Sequence, residues 1–120
     1  MRKRPREKDS EKADTYHLLG CKQYMSEDFT SALQSFHGVL AVRRKLHGEE
    51  HSCTADSYQL IGCTQNELGD FTSALQSAKR ALDIKRRLFG EEHPHTADCY
   101  HLPGWTQHEL HDFASVLQSA

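Results

Sequence analysis

Apolar side chains recur along this chain with the spacing of a helix. Between Phe71 and Leu88 they fall three, four or seven positions apart and form one continuous stripe. The segment that ends at Leu68 carries a shorter stripe, which includes Tyr58 and Ile61. No segment alternates apolar and polar residues as a half-buried strand would. The predicted helices span residues 12–26, 29–47, 54–68, 71–89, 96–110 and 113–120.

Glycine, aspartate and proline mark where these helices end and begin. Gly69 suits a left-handed position after a helix, and Asp70 can accept hydrogen bonds from the first turn of the next one. Gly90 is suited to end the following helix, and Pro94 can start another without losing a required donor. The segments therefore predict pairs of helices joined by short turns.

The pairs belong to an internal repeat with a period of 42 residues. The block at 13–20 recurs at 55–62 and 97–104, and a second block at 28–35 recurs at 70–77. The first two repeats agree at 23 of 42 positions, which shared composition cannot produce. Because one helix pair cannot cover both of its apolar faces, neighbouring pairs must stack into an all-α solenoid of about two and two-thirds repeats. The repeats span residues 13–54, 55–96 and, truncated, 97–120.

Small residues at fixed places resemble the tetratricopeptide repeat. The first repeat carries Tyr16, the pair Leu19-Gly20, and then Ala32 and Phe36. The period is longer than the 34 residues of the standard repeat, and the extension at 81–94 is similar to the 42-residue repeats of kinesin light chains and nephrocystin-type proteins. The resemblance covers residues 13–120 and implies a protein-interaction module.

The chain departs from the repeat pattern at several positions. Gln23 and its counterparts replace an aromatic residue, and Glu27 stands where the next repeat has Gly69. Pro103 replaces an aliphatic residue and predicts a kinked or late-starting helix in the third repeat. About three repeats are usually needed for a stable stack. We therefore expect either a fragment of a longer array or an open end that finds a partner.

Charge separates a tail from the rest of the chain. Residues 1–12 hold six basic and three acidic residues, whereas the whole chain has a formal net charge of -2. We expect a disordered, solvated tail over 1–12, with a targeting or anion-binding patch at 2–6 as the alternative. No aromatic residues interleave with the basic ones, so nucleic-acid binding is not expected.

Cysteine use and hydropathy suggest a cytoplasmic protein. The four cysteines show no CxxC spacing, and the N-terminus has no apolar signal segment, which favours reduced thiols. No apolar run approaches the roughly 20 residues that span a bilayer. We expect neither a membrane association nor a disulfide framework.

Two basic clusters recur one repeat apart, at 43–45 and 85–87. Each falls near the end of a long second helix, where the helix dipole favours positive charge. The sequence predicts solvent-facing side chains here, although a strip for an acidic partner is the alternative.

Catalysis and metal binding are not expected. The nine histidines change between repeats, and His47 with His51 straddle a predicted helix end. Zinc sites need a convergent set of ligands, and no third orienting residue accompanies a Cys–His pair. The sequence predicts no enzyme, no metal and no cofactor.

The resemblance assigns a groove to the second, fifth, ninth and twelfth positions of each first helix. No Lys or Arg occurs in this set, so a cationic clamp for carboxylates is not expected. One aspartate per repeat implies a negative edge, with preference for neutral or basic, aromatic-tolerant segments bound with micromolar affinity. The twelve groove residues are Asp14, His17, Cys21, Tyr24, Asp56, Gln59, Cys63, Asn66, Asp98, His101, Trp105 and His108.

The leading functional hypothesis is a scaffold or adaptor that binds a peptide or partner helix in this groove. The alternative is a structural segment of a longer array, or a truncated fragment, that stacks or self-associates through its uncapped end.

Overall fold

The computed structural model describes residues 5–90, 93–97, 108, 111–113 and 115, and within them every regular element is helical. The five helices are α1 (Pro5–Met25), α2 (Phe29–His47), α3 (Ser52–Glu67), α4 (Phe71–Phe89) and α5 (Pro94–Ala97). Each helix packs against the next along the chain. This arrangement confirms the predicted all-α stack of helix pairs.

The predicted bounds of α2 and α4 are confirmed because both ends of each helix carry a strong local signal. Asp28 and Asp70 are the N-caps, and their Oδ1 atoms accept hydrogen bonds from Ser31 N and Ser73 N. Gly48 and Gly90 follow the last helical residues with positive φ angles of 84° and 90°. Side chain and backbone therefore specify both helices at both ends.

The first helix begins earlier than predicted. α1 starts at Pro5, so residues 5–12 are helical where a disordered tail was expected; residues 1–4 lie outside the described part. A proline is tolerated in the first helical turn because its missing N–H would have no partner there. Asp9 also forms a 3.1 Å ion pair with Lys45 of α2.

Two small clusters of buried residues hold the helices together. Between the two helix pairs, Ile61 of α3 packs with Ala32, Phe36 and Leu40 of α2. Farther along, Ala78, Ala81 and Leu82 of α4 form a second cluster. The core is therefore thin and lies along the contacts between successive helices.

Left-handed turns occur at equivalent places in the two pairs. Gly69 has a φ of +82°, as its sequence position predicts, and Glu27 has a φ of +63° in the same place. The left-handed conformation is unfavourable for a residue with a Cβ atom, so the turn of the first helix pair is less stable than the equivalent glycine turn of the second. Pro103 lies outside the described residues, as do most of the helices predicted at 96–110 and 113–120.

Candidate functional site

Two adjoining cavities are lined by side chains of both α1 and α3. One, which we call the polar cavity because charged side chains lie in its wall, has a volume of about 430 Å³ and receives side chains from four helices. The other is apolar, with a volume of about 370 Å³. Leu60 and Cys63 contribute to both cavities, so the two form one groove. The polar cavity is lined by His17, Arg43, Asp56, Gln59, Leu60, Cys63 and Lys85. The apolar cavity is lined by Cys21, Tyr24, Met25, Phe36, Leu60 and Cys63.

Six of the twelve predicted groove residues line these cavities. Asp14 is exposed outside both, and Asn66 has a buried Oδ1 without a hydrogen-bond partner in the described part of the chain. His108 is exposed, with Nε2 3.7 Å from Asp112 Oδ2. The other three lie outside the described residues: Asp98, His101 and Trp105.

The structure places two cations in this groove that the predicted set of twelve residues does not contain. Lys85 and Arg43, from the ends of α4 and α2, both line the polar cavity. The two basic clusters were expected to face solvent, yet Lys85 is only 2% exposed. Other members of these clusters do face solvent, since the side chains of Arg44 and Lys45 are 51% and 72% exposed. The lining of this cavity therefore carries both signs of charge, and the negative edge and the preference for basic ligands stay predictions.

Lys85 is held by two side chains of α3. Its Nζ lies 2.7 Å from Asp56 Oδ1 and donates a 2.9 Å hydrogen bond to Gln59 Oε1. The carboxylate compensates the ammonium charge, which would otherwise be costly to bury. Because the Asp56 side chain is 53% exposed, this ion pair has one buried and one solvent-facing partner.

Arg43 is the counterpart of Lys85 one repeat earlier and has a different environment. Its Nη1 donates hydrogen bonds to Cys53 O at 3.2 Å and Ser57 Oγ at 3.0 Å. These contacts join α2 to the first turns of α3. Both partners are uncharged, so the guanidinium leaves a positive charge in the cavity wall.

Two titratable side chains of the apolar cavity have raised pKa values. Burial, and then the charge of Glu67, raises the pKa of the Cys63 thiol. Burial also raises the pKa of Tyr24, with further contributions from Glu67 and Cys63. Met25 is 83% exposed, whereas Phe36 is buried at 1%. The cavity thus offers an uncharged surface suited to an apolar side chain.

Five lining residues fall outside the predicted set, and the apolar stripe of α4 could have identified one of them. Lys85 falls on the α4 stripe of Ala74, Ala78 and Ala81, at helical spacing after the last of these. The charge of Lys85 favours exposure to solvent, but its position on the apolar stripe favours burial, and the side chain is buried. The sequence offers no similar signal for Met25. The five missed residues are Met25, Phe36, Arg43, Leu60 and Lys85.

A Cys–His contact lies on the α1 side of the groove. Cys21 Sγ lies 3.9 Å from His17 Nδ1, one helical turn away. Within the described residues, no group of three or more His, Cys, Asp or Glu side chains is arranged to hold a metal ion. Cys21, Cys53 and Cys63 are free thiols. In the described part of the chain, no helix has the length and apolar character to cross a membrane.

The fold and the groove together define a helical-repeat protein. The family model for the tetratricopeptide repeat matches residues 21–87 and 66–119, and the chain belongs to this family. Tetratricopeptide repeats are generally protein-interaction modules, and the family is typically a non-enzymatic scaffold. No curated protein sequence matches the chain.

Proposed function

We propose that this chain binds a segment of a partner protein in the groove formed by its two cavities. The observation that carries the proposal is the continuity of a polar and an apolar cavity along α1 and α3, through Leu60 and Cys63. A large apolar side chain of the ligand would occupy the apolar cavity. The adjoining backbone and polar groups would lie along the polar cavity.

The apolar cavity supplies the anchor in this scheme. Most of the binding free energy of a peptide complex comes from a few apolar side chains buried in pockets. A cavity of about 370 Å³ has room for an aromatic or large aliphatic side chain. Its mouth includes Met25, whose flexible thioether can adapt to ligands of different shape. An interface of this modest size is expected to give micromolar affinity.

We further propose an adaptor or scaffold role of the kind performed by proteins with 42-residue repeats. Two hydrogen bonds support that version of the repeat. Thr54 Oγ1 donates to Gly48 O at 2.7 Å, and Thr96 Oγ1 donates to Gly90 O at 2.6 Å. The loop between successive helix pairs is therefore closed in the same way after each extended second helix.

The test starts from a random peptide library selected against the full chain. We expect the enriched peptides to share a large apolar residue. Met25→Lys should weaken binding of a selected peptide about tenfold, since it places a charge at the mouth of the apolar cavity. Leu88→Lys is the matched control, because Leu88 is 44% exposed on α4 and lines neither cavity.

Calorimetric titration of both variants measures the effect, and circular dichroism checks that each remains folded. Equal weakening by Met25→Lys and Leu88→Lys would contradict binding in the groove. Failure of the library to yield any peptide that binds the folded chain would contradict the proposed function itself.

A further inference from the structure

The ion pair in the polar cavity has an unusual arrangement of burial. The ammonium of Lys85 is enclosed, with a side chain only 3% exposed, while the side chain of Asp56 is 53% exposed. The carboxylate therefore lies between the ammonium and the open groove. Gln59 Oε1 accepts a second hydrogen bond from the same nitrogen.

A carboxylate in this position does what a ligand carboxylate would do. It neutralises a buried cation and accepts a short, charge-assisted hydrogen bond of 2.7 Å from it. Asp56 therefore already accepts the charge-assisted hydrogen bond that a ligand carboxylate would accept from Lys85. The half-exposed carboxylate of Asp56 has further acceptor capacity, to which an amide N–H or a cationic group can donate.

We propose that Asp56 determines what the groove accepts next to Lys85. Its own carboxylate fills the anion site, so the ligand there presents a hydrogen-bond donor and not a carboxylate. This inference rests on the proposed function, because it describes the ligand of the same groove. At this place in the groove the charges of Asp56 and Lys85 cancel, whereas the sequence suggested a negative edge.

The net charge of the polar cavity depends strongly on Asp56. The charged side chains among the lining residues, apart from His17, are Arg43, Lys85 and Asp56, with a sum of +1. Replacing Asp56 by an uncharged residue raises the sum to +2 and exposes the ammonium. Arg43 keeps its hydrogen bonds to α3 in either case, so the change is local to Lys85.

The first experiment needs no protein partner and uses acetate as the probe. Asp56→Ala should unfold at a lower temperature than the parent chain. Sodium acetate should then raise its melting temperature more than sodium chloride at equal concentration. In Asp56→Ala/Lys85→Met, which lacks the ammonium, the two salts should act alike. If acetate stabilises the parent chain and Asp56→Ala equally, the anion site does not exist and the proposal is overturned.

The second experiment compares ligand charge. Acidic and neutral versions of one selected peptide are titrated into the parent chain and into Asp56→Asn, which keeps the shape of the side chain. We expect the affinity ratio of acidic to neutral peptide to rise about tenfold in Asp56→Asn. Asp14→Asn is the matched control, since Asp14 occupies the equivalent position one repeat earlier and lines neither cavity.

The two experiments separate the two claims. If no peptide binds the parent chain but acetate rescues Asp56→Ala, the proposed function fails and the anion site stands. If the parent chain binds acidic peptides in a manner that Lys85→Met abolishes, the role of Asp56 is overturned and groove binding is retained. An unchanged affinity ratio in Asp56→Asn also overturns it.

Discussion

The hydroxyl of Ser35 donates a 2.7 Å hydrogen bond to Oε1 of Gln23, which ties α2 to α1. The same bond, also 2.7 Å, joins Ser77 to Gln65 and ties α4 to α3. Each helix pair thus contains one side-chain hydrogen bond where the family usually has an aromatic residue. Glutamine at this place therefore has the same structural partner, a serine of the next helix, in both pairs.

Loss of the Ser35 hydroxyl should measurably weaken the first pair. Ser35→Ala leaves the side-chain oxygen Oε1 of Gln23 without this hydrogen-bond donor. Because Ser35 is only 6% exposed, water cannot easily take the place of its hydroxyl. We expect the free energy of unfolding to fall by about 1 kcal/mol. Urea titration measures the change, with Ser26→Ala in the exposed turn as the control. A Ser35→Ala effect no larger than that of Ser26→Ala would show that the bond contributes nothing.

Equivalent residues of the two first helices should differ sharply in their contribution to stability. Ile61 is 1% exposed and packs on α2, whereas Leu19, its counterpart, is 44% exposed. Ile61→Ala should cost about 2–5 kcal/mol, since it opens a cavity between the helix pairs. Leu19→Ala should cost less than about 1 kcal/mol, because that side chain already contacts water. Thermal unfolding of both variants tests this, and similar losses would contradict the described packing.

The close approach of α1 and α2 depends on Gly20. A Cβ added there would lie 2.6 Å from Cε1 of Phe36, a ring that is fully buried. Gly20→Ala should therefore destabilise the chain by about 1–3 kcal/mol. The loss should shrink when Gly20→Ala is introduced into Phe36→Leu, which removes the clashing ring atoms. Additive effects in this double-mutant cycle would mean that the two residues are not in contact.

Glu49 should make stability depend on acid pH. Burial alone would raise its pKa, but hydrogen bonds from Tyr58, Arg44 and Arg80 outweigh burial and lower the pKa from 4.5 to about 2. A lowered folded-state pKa stabilises the fold above the unfolded value of 4.5, and this contribution is lost as pH falls toward 2.

The measurement is the difference in unfolding free energy between the parent chain and Glu49→Gln as a function of pH. We expect the largest difference above pH 4.5 and a steady decline toward pH 2. Other carboxylates titrate in both proteins, so their effects largely cancel in the difference. A difference that stayed constant from pH 6 to pH 2 would refute the assignment of the low pKa to Glu49.

Sequence reasoning predicted the elements of this fold better than the details of its groove. The bounds of α2 and α4 follow from Asp N-caps and terminal glycines, which act locally and can be recognised one helix at a time. The start of α1 was missed because residues 5–12 carry no apolar stripe. Their helix extends one that is already nucleated, which costs less than starting a new one.

The complete lining of the groove could not be predicted from the sequence, because its residues come from four helices. The position of Asp56 on α3 could be assigned by resemblance, but its partner Lys85 lies 29 residues later on another helix. Charge favoured solvent for Lys85, whereas its place on the apolar stripe favoured burial. Only the packing of α3 against α4 decides between the two.

An NMR titration tests whether a partner segment binds along α1 and α3. The full chain, labelled with ¹⁵N, is titrated with a peptide selected from the library. We expect the largest chemical-shift changes at the amides around Cys21, Leu60 and Cys63. Changes confined to the outer surfaces of α2 and α4, near His37 and Gln76, with the groove unaffected, would contradict it.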